Sequence, residues 1–183
     1  WTANSGGDKI HITEVKNETA ESLFVAETIK KLSDPTINHK PLTINSFAVL
    51  YRTNAQSRAL EEVFLKLGLL YVLVGGTRFY ERKEIKDMLS YLRLFSNPED
   101  TISKSRIEKI GKGRMNKFFT ILEKLKPELE NLTTLELLNQ TIEITEYFDY
   151  LEDGTEVGKT RIENVQELKS VAEEYPDLTS FLQ

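Results

Sequence analysis

The chain has 183 residues, of which 39% are hydrophobic and 29% charged; this is the composition of an ordinary globular protein, and it excludes the disordered and fibrous classes. It contains no cysteine and only two histidines, His11 and His39, which excludes disulfides, thiolate zinc sites and cysteine nucleophiles and argues against a histidine-based metal site or catalytic triad. The formal net charge of −5 excludes a basic surplus spread over the whole surface, so any DNA binding must be local or shared with another domain.

The first residues and the apolar stretches of the chain predict its compartment. No window approaches the roughly 18 uninterrupted apolar residues that a membrane span needs. Residues 1–10 have neither the basic flank nor the apolar centre of a signal peptide. We therefore expect a cytoplasmic protein with no membrane partner. The chain begins with Trp1 instead of methionine, which indicates a fragment of a longer protein.

Three short apolar segments in the first half of the chain predict β-strands. The first alternates apolar and polar residues, and the other two are continuous apolar runs, as in a strand covered on both faces. Helical patterns separate the three segments, and this order is typical of a parallel sheet with right-handed crossovers. The predicted strands lie at residues 9–15, 46–51 and 69–74. The predicted fold class is therefore α/β, a partial parallel sheet of about three strands followed by an all-α module.

Capping residues mark the helices between these strands. Asn17 or Thr19 can cap a helix after the first strand, and Asn54 is a good N-cap for a helix over residues 55–67. Gly68 follows that helix directly and can take the left-handed conformation that closes it. Both helices therefore have start or stop signals that agree with their apolar spacing.

After Gly76 the pattern becomes helical, and no further strand is predicted. Apolar residues at spacings of three and four predict a firm amphipathic helix that ends at Asn97-Pro98. Further helices are predicted at residues 118–132, 133–145, 147–152 and 161–175. We therefore divide the chain into a partial α/β domain at residues 1–100 and a helical domain at residues 101–183. Three strands are few, since a mean sheet has about five or six, so we expect partners of the outer strands outside this chain.

Tyr51 and Arg52 close the second predicted strand. Ligands of open α/β sheets bind beyond the carboxyl ends of the strands. There a tyrosine ring can stack on a nucleobase, and an arginine can bind a phosphate through two charge-assisted hydrogen bonds. The same pair also fits a tyrosine packed under a helix beside a solvated arginine, because no Gly-rich phosphate loop accompanies it. Spacing alone leaves both interpretations open.

Two other segments carry candidate binding residues. Arg78, Phe79 and Tyr80 follow a glycine turn, and they fit either a binding surface or a turn with a solvated helix face. Lys112 and Arg114 lie in the sequence Gly-Lys-Gly-Arg. Such a turn can offer charge and backbone amides to a DNA phosphate, or it can be a loop that has been shortened.

Longer stretches of the chain resemble a known family. Residues 47–62, FAVLYRTNAQSRALEE, and residues 71–100, YVLVGGTRFYERKEIKDMLSYLRLFSNPED, closely resemble the second RecA-like domain of the UvrD/PcrA/Rep group of superfamily-one DNA helicases. The first stretch contains the family's motif IV, and the opening WTANSGGDKI is similar to the segment that leads into this domain. The close match covers residues 1–100. The remainder resembles, more weakly, the helical domain inserted within the second RecA-like domain.

The resemblance implies a function and roles for the candidate residues. It implies an ATP-dependent DNA helicase of 3′-to-5′ polarity that acts in DNA repair or replication, needs ATP and Mg²⁺, and binds single-stranded and duplex DNA. Tyr51 then stacks on the adenine of ATP. Arg52 reaches the γ-phosphate, as a catalytic residue, across the cleft to the first RecA-like domain. Arg78, Phe79 and Tyr80 lie toward the DNA, where stacking is worth roughly 1–3 kcal/mol per base.

The sequence also departs from the family pattern. It has no GxxxxGK[ST] phosphate loop and no acidic magnesium motif at a strand end, both of which the family carries in its first RecA-like domain. We therefore expect the fragment alone to be inactive and to hold no magnesium ligands. Around residues 106–114 the family has a longer RI.N.P.RGIG passage, of which RIEKIGKGR remains here.

Two other classes of protein stay open. One is a non-enzymatic interaction module, an α/β platform with a helical arm, which the acidic charge and the helical second half would suit. The other is a self-contained doubly wound domain of the receiver or nucleotide-binding kind. The latter needs a carboxylate cluster or a Gly-rich loop at its strand ends, and neither residues 9–15 nor residues 69–74 end that way.

Overall fold

The computed structural model describes residues 6–7 and 9–183, and the regular secondary structure within them is helical. The α-helices of this part of the chain are α1 (Glu18–Ser33), α2 (Ser57–Lys66), α3 (Lys83–Ser96), α4 (Thr101–Ile110), α5 (Lys112–Leu125), α6 (Thr134–Ile144), α7 (Tyr147–Leu151), α8 (Glu156–Glu174) and α9 (Leu178–Phe181). Short 3₁₀ helices lie at Ile44–Ser46, Asn54–Gln56, Phe79–Glu81 and Lys126–Asn131. The opening segment that resembles the family lies largely outside the described residues.

The predicted α/β fold class, with its partial RecA-like parallel sheet, is wrong. No β-strand occurs among residues 6–7 and 9–183, and the three segments predicted as strands form no hydrogen-bonded ladder there. A strand exists only when a neighbouring strand accepts and donates its backbone hydrogen bonds, and an apolar sequence does not provide that neighbour. The side chains show the same lack of cover, since Ile10, Leu50 and Val74 are 92%, 93% and 90% exposed.

One compact unit consists of Trp1–Leu50 and Ala59–Tyr71. Its core is small and is built on Ala26, Ile29 and Phe64, against which partly buried apolar residues pack. The Phe64 and Tyr71 rings meet edge to face, with their centroids 5.9 Å apart. Asn17 caps α1 by accepting a hydrogen bond from the Ala20 amide at 2.9 Å, which confirms one of the two predicted caps.

The second compact unit consists of Tyr51–Arg58 and Val72–Gln183. Helix α3 runs through its core, and its buried face continues onto helices α4 to α8. The Phe118 ring is fully buried between Tyr91 and Phe95, with centroids 4.9 and 5.1 Å away. Helix α3 ends at Ser96 with Asn97 as its C-cap, in agreement with the stop predicted at Asn97-Pro98. Helix α6 lies within the helix predicted over residues 133–145, with Thr133 as its N-cap.

Helices α3 and α4 lie on either side of residues 97–100 and contribute to the same core. Asp100 begins α4 by accepting hydrogen bonds from the amides of Ile102 and Ser103. Helix α4 was not predicted, because few of its residues are apolar. The division into domains at residue 100, which the change to a helical pattern predicts, stays a prediction.

A charged network lies inside this core. The Asp87 carboxylate is 1% exposed and accepts hydrogen bonds from the Tyr147 hydroxyl at 2.9 Å and from Arg106 at 2.8 Å. Burial raises the pKa of Asp87 and outweighs the Tyr147 hydrogen bond and the Arg106 charge, which lower it. Burial likewise raises the pKa of Tyr147. Asp87 therefore joins α3, α4 and α7 at a cost in desolvation.

This cost predicts a pH dependence of stability. Because the Asp87 pKa is raised in the folded chain, the stabilisation linked to its proton is complete below 3.8, the usual value, and is lost as the pH rises through the raised pKa. The Asp87→Asn variant lacks this titration. Its free energy of unfolding, relative to the wild type, should therefore increase as the pH rises toward about 7. Urea unfolding of both proteins over this range measures the difference; a decrease would mean that the Arg106 ion pair outweighs burial.

Candidate functional site

Tyr51 and Arg52 lie in the second compact unit, directly before the 3₁₀ helix Asn54–Gln56. Tyr51 is half-buried and Arg52 is exposed. Within the described part of the chain the Arg52 guanidinium has no hydrogen-bond or ion-pair partner. Arg52 is thus a cation available to an outside ligand, beside a tyrosine that is only partly covered.

A capping box holds the backbone of this segment. The amides of Arg52 and Thr53 both donate to Oε1 of Gln56, at 2.9 and 3.0 Å, and the Thr53 side chain accepts from the Gln56 amide. Thr53 is therefore the N-cap, one residue before the predicted Asn54. Such a box satisfies the free amides at a helix start, so the backbone from which the Arg52 side chain projects is fixed.

A buried hydrogen-bond network lies behind this segment. The Ser57 hydroxyl donates to the Asn54 carbonyl at 2.9 Å and accepts from Nη2 of Arg82 at 2.8 Å. Nη1 of Arg82 donates to Oδ1 of Asn164 at 2.8 Å, and Nδ2 of Asn164 donates to Oε1 of Glu84 at 2.6 Å. Ser57, Arg82, Asn164 and Glu84 are 1%, 8%, 3% and 5% exposed. The network therefore buries one positive and one negative charge with an amide between them.

A second buried contact reaches the same segment from α8. Nε of Arg58 donates to Oε1 of Glu167 at 2.7 Å, with the Arg58 side chain 1% and that of Glu167 22% exposed. Asn164 and Glu167 are three residues apart and so lie on one face of α8. This face of α8 therefore contacts Arg58 directly through Glu167, and it reaches Ser57 through Asn164 and Arg82.

A cleft of about 410 Å³ opens beside this network. It is lined by Asn54, the turn residues 76–77, residues 82–84 and, from α8, Glu156, Val157, Thr160, Arg161 and Asn164. Its lining contains positive and negative charges in similar number. This balance does not select an anionic ligand over a cationic one.

The three candidate residues at 78–80 have different surroundings. Arg78 and Tyr80 are exposed, whereas Phe79 is 1% exposed and belongs to the core. The Phe79 ring lies 5.2 Å from the Arg82 guanidinium carbon and meets the Tyr80 ring edge to face at 5.1 Å. Arg78 and Tyr80 can thus contact a large ligand directly, while Phe79 packs beneath them.

Lys112 and Arg114 lie at the start of α5, with only Gly111 between this helix and α4. Lys112 is exposed and 3.8 Å from Glu108. The Arg114 guanidinium carbon lies 5.0 Å from the centre of the Tyr150 ring, a cation–π contact. The predicted basic turn is therefore mostly helix, and its two cations have different neighbours.

Residues 154–160 read GTEVGKT and come within one residue of the phosphate-loop pattern. The structure places Gly158 and the two residues after it inside α8, where the Gly158 amide donates to the Thr155 hydroxyl at 3.0 Å and Lys159 pairs with Glu156 at 2.8 Å. A Cβ on Gly158 would lie 2.6 Å from the Leu151 carbonyl oxygen. Close packing thus accounts for this glycine, and the segment forms no phosphate cradle.

Sequence reasoning missed the network behind Arg52. Its contacts join residues up to 82 positions apart in the chain, beyond the reach of local patterns. One signal was present, because Asn164 directly precedes Val165 and lies one turn before Leu168, so a polar amide occupies an otherwise apolar helix face. Such a residue is usually buried only with its hydrogen bonds made.

The described residues fit some ligands better than others. Among residues 6–7 and 9–183, no group of three acidic, histidine or cysteine side chains could hold a metal ion, so they do not fit a Mg²⁺ site. Tyr51 and Arg52 fit the base and a phosphate of a nucleotide, but only as two contacts from one side. In the same part of the chain, no helix has the length and apolar character to cross a membrane.

Comparisons with known proteins show which family this chain is similar to. The family profile of the UvrD-like helicase C-terminal domain matches residues 1–151. The ATP-dependent DNA helicases PcrA of Staphylococcus aureus and of Staphylococcus epidermidis are each 34% identical to the chain over 219 aligned residues. Each alignment covers 98% of this chain and 29% of the relative, so the chain spans less than a third of the relatives' length. The alignment is longer than the chain itself, so the relatives contain residues with no counterpart here.

Proposed function

Because the chain belongs to the UvrD-like helicase family, we propose that it is part of an ATP-dependent DNA helicase in which Tyr51 and Arg52 contact the nucleotide. The observation that carries this proposal is the exposed Arg52 guanidinium, without a partner among the described residues, on a backbone fixed by Gln56. Tyr51 lies next to it as a stacking surface for adenine. An arginine held in this way is suited to a phosphate that arrives from another domain.

Arg52 would act on the transition state of hydrolysis. The transferred phosphoryl group gathers charge on its outer oxygens, and a positioned arginine stabilises that charge through its planar fork of donors. When such an arginine is supplied across a cleft, hydrolysis depends on closure of the cleft. Closure and reopening would then couple ATP turnover to movement along DNA in the 3′-to-5′ direction, in DNA repair or replication in the cytoplasm.

The remaining parts of the ATP site would lie outside this chain. ATP chemistry in this family of reactions uses Mg²⁺ to neutralise the phosphate oxygens, and among the described residues no group of three acidic, histidine or cysteine side chains is placed to hold a metal ion. The sequence contains no GxxxxGK[ST] loop. We therefore propose that a separate RecA-like domain supplies both and that the 183 residues alone do not hydrolyse ATP.

DNA would be bound beside the segment that carries Tyr51 and Arg52, residues 51–58, called the nucleotide segment below. Arg78 and Tyr80 are exposed, so they can offer a charge to a phosphate and a ring to a base. Phe79 is buried and would support Tyr80 from below. Lys112 and Arg114, at the start of α5, are proposed as further contacts to the DNA backbone.

A substitution of Tyr51 tests the nucleotide assignment. In the full-length protein, Tyr51→Ala should raise KM for ATP with a smaller effect on kcat, because adenine stacking is equally present before and during the chemistry. Tyr51→Phe keeps the ring and should behave like the wild type. Tyr175 is an exposed tyrosine (49%) outside the proposed site, so Tyr175→Ala is the matched control. Steady-state ATP hydrolysis with saturating single-stranded DNA measures both constants; an unchanged KM for Tyr51→Ala would reject the stacking role.

A further inference from the structure

Helix α8 holds the nucleotide segment through two of its polar side chains. Asn164 reaches the segment through Arg82, which donates to Ser57 at 2.8 Å. Glu167 reaches it directly through Arg58 at 2.7 Å. All these contacts lie within one compact unit. The segment that carries Tyr51 and Arg52 is therefore fixed by a helix more than a hundred residues later in the chain.

Asn164 has a role in this network that few side chains can take. Its amide oxygen accepts from the Arg82 guanidinium, and its amide nitrogen donates to the Glu84 carboxylate. A carboxylate at this position could not donate, and a lysine could not accept. The amide thus connects two buried, oppositely charged groups and sets the orientation of Arg82.

The orientation of Arg82 is passed on to Arg52 by short steps. Arg82 donates to the Ser57 hydroxyl, and that hydroxyl donates to the Asn54 carbonyl of the 3₁₀ helix. The same helix contains Gln56, which accepts from the Arg52 amide. Every hydrogen bond on this path is 2.9 Å or shorter, the 3₁₀ helix joins Asn54 to Gln56 covalently, and Ser57 and Arg82 are buried. A change at Asn164 therefore reaches the backbone of Arg52 without any contact with a nucleotide.

We propose that Asn164 and Arg82 are positioning residues for Arg52, so that helix α8 sets the alignment of this arginine for ATP hydrolysis. The inference rests on the proposed function of Arg52. The nucleotide contacts of the proposed function are made by Tyr51 and Arg52, and Asn164 and Arg82 act on them through hydrogen bonds. Misplacement of a catalytic group by about 1 Å can lower a rate roughly 100-fold, so loss of the Asn164 amide has a measurable effect on kcat.

The test is a double-mutant cycle in the full-length protein. Asn164→Ala should lower kcat for ATP hydrolysis by about 10- to 100-fold and leave KM for ATP nearly unchanged. If Asn164 acts only through Arg52, the double variant with Arg52→Ala should hydrolyse ATP no more slowly than Arg52→Ala alone. Gln166→Ala, an exposed position on the same helix, is the matched control and should match the wild type.

Thermal melting of each variant checks that it is folded, and a second substitution provides an independent test. Ser57→Ala removes a single oxygen atom at another point of the same path, and it should reproduce both the fall in kcat and its absence in the Arg52→Ala background. If Asn164→Ala does not fold, Ser57→Ala alone tests the positioning role. Full kcat in Asn164→Ala or Ser57→Ala, or losses that multiply with that of Arg52→Ala, would overturn the positioning role. If Arg52→Ala itself keeps the wild-type kcat, it is the proposed function that fails.

Discussion

Arg52→Ala in the full-length protein should lower kcat for ATP hydrolysis by at least about 10³-fold, the lower part of the range measured for arginines supplied across a cleft. The physical reason is that the guanidinium meets a charge that develops only in the transition state, so its removal costs rate and not substrate binding. KM for ATP should therefore change much less than kcat. Steady-state kinetics with saturating single-stranded DNA measures both.

Two further variants define what the arginine contributes. Arg52→Lys should restore little activity, because an ammonium keeps the charge but loses the planar fork that binds two phosphate oxygens at once. Arg93, an exposed arginine on α3, is the matched control, and Arg93→Ala should hydrolyse ATP like the wild type. If Arg52→Ala stays within a few-fold of the wild type, Arg52 is a solvated side chain, as the alternative interpretation of the sequence holds.

Helices of this chain could be predicted because their signals are local. Asn17 lies at the start of α1 and bonds to an amide three residues later, and the face of α3 that packs into the core repeats every three or four residues. Gly68 follows α2 with the positive φ of 67° that a helix end of this type requires. Each of these features is decided within about one helical turn.

The predicted strands failed for the opposite reason. The run at residues 69–74 has the apolar content of a strand, but a strand depends on hydrogen bonds from another segment. Among the described residues no segment provides them, and Leu70, Val72 and Val74 are 84%, 86% and 90% exposed. Sequence periodicity reports which side chains suit burial, and it does not report whether a covering partner is present.

The candidate site likewise has a part with a local sequence signal and a part that depends on contacts between distant residues. Tyr51 and Arg52 could be predicted as site residues from the sequence, because a contiguous motif carries them, and their role stays a prediction. The residues that hold them in place were not found, because Arg82 and Asn164 are 82 positions apart and meet only after folding. Charged residues such as Asp87 and Glu84 on the buried side of α3 are the signal that such a network exists, since buried charges require partners.

The second large effect concerns the direction of DNA unwinding. We expect the full-length protein to separate the strands of a duplex that carries a single-stranded 3′ tail, in the presence of ATP and Mg²⁺, and to leave a duplex with only a 5′ tail intact. An enzyme that moves 3′ to 5′ along the strand it binds can reach the duplex only from a 3′ tail. Separation also requires repeated hydrolysis, so we expect it to depend on Arg52, and we expect DNA binding without nucleotide to be unaffected by Arg52→Ala.

Strand displacement from a fluorescently labelled 3′-tailed duplex, with the wild type and Arg52→Ala compared at equal DNA occupancy, tests the central claim most directly. We predict ATP-dependent displacement by the wild type and almost none by Arg52→Ala, with both proteins binding the tail equally in the absence of nucleotide. Displacement by Arg52→Ala at the wild-type rate, or no displacement by the wild type from either tail, would contradict it.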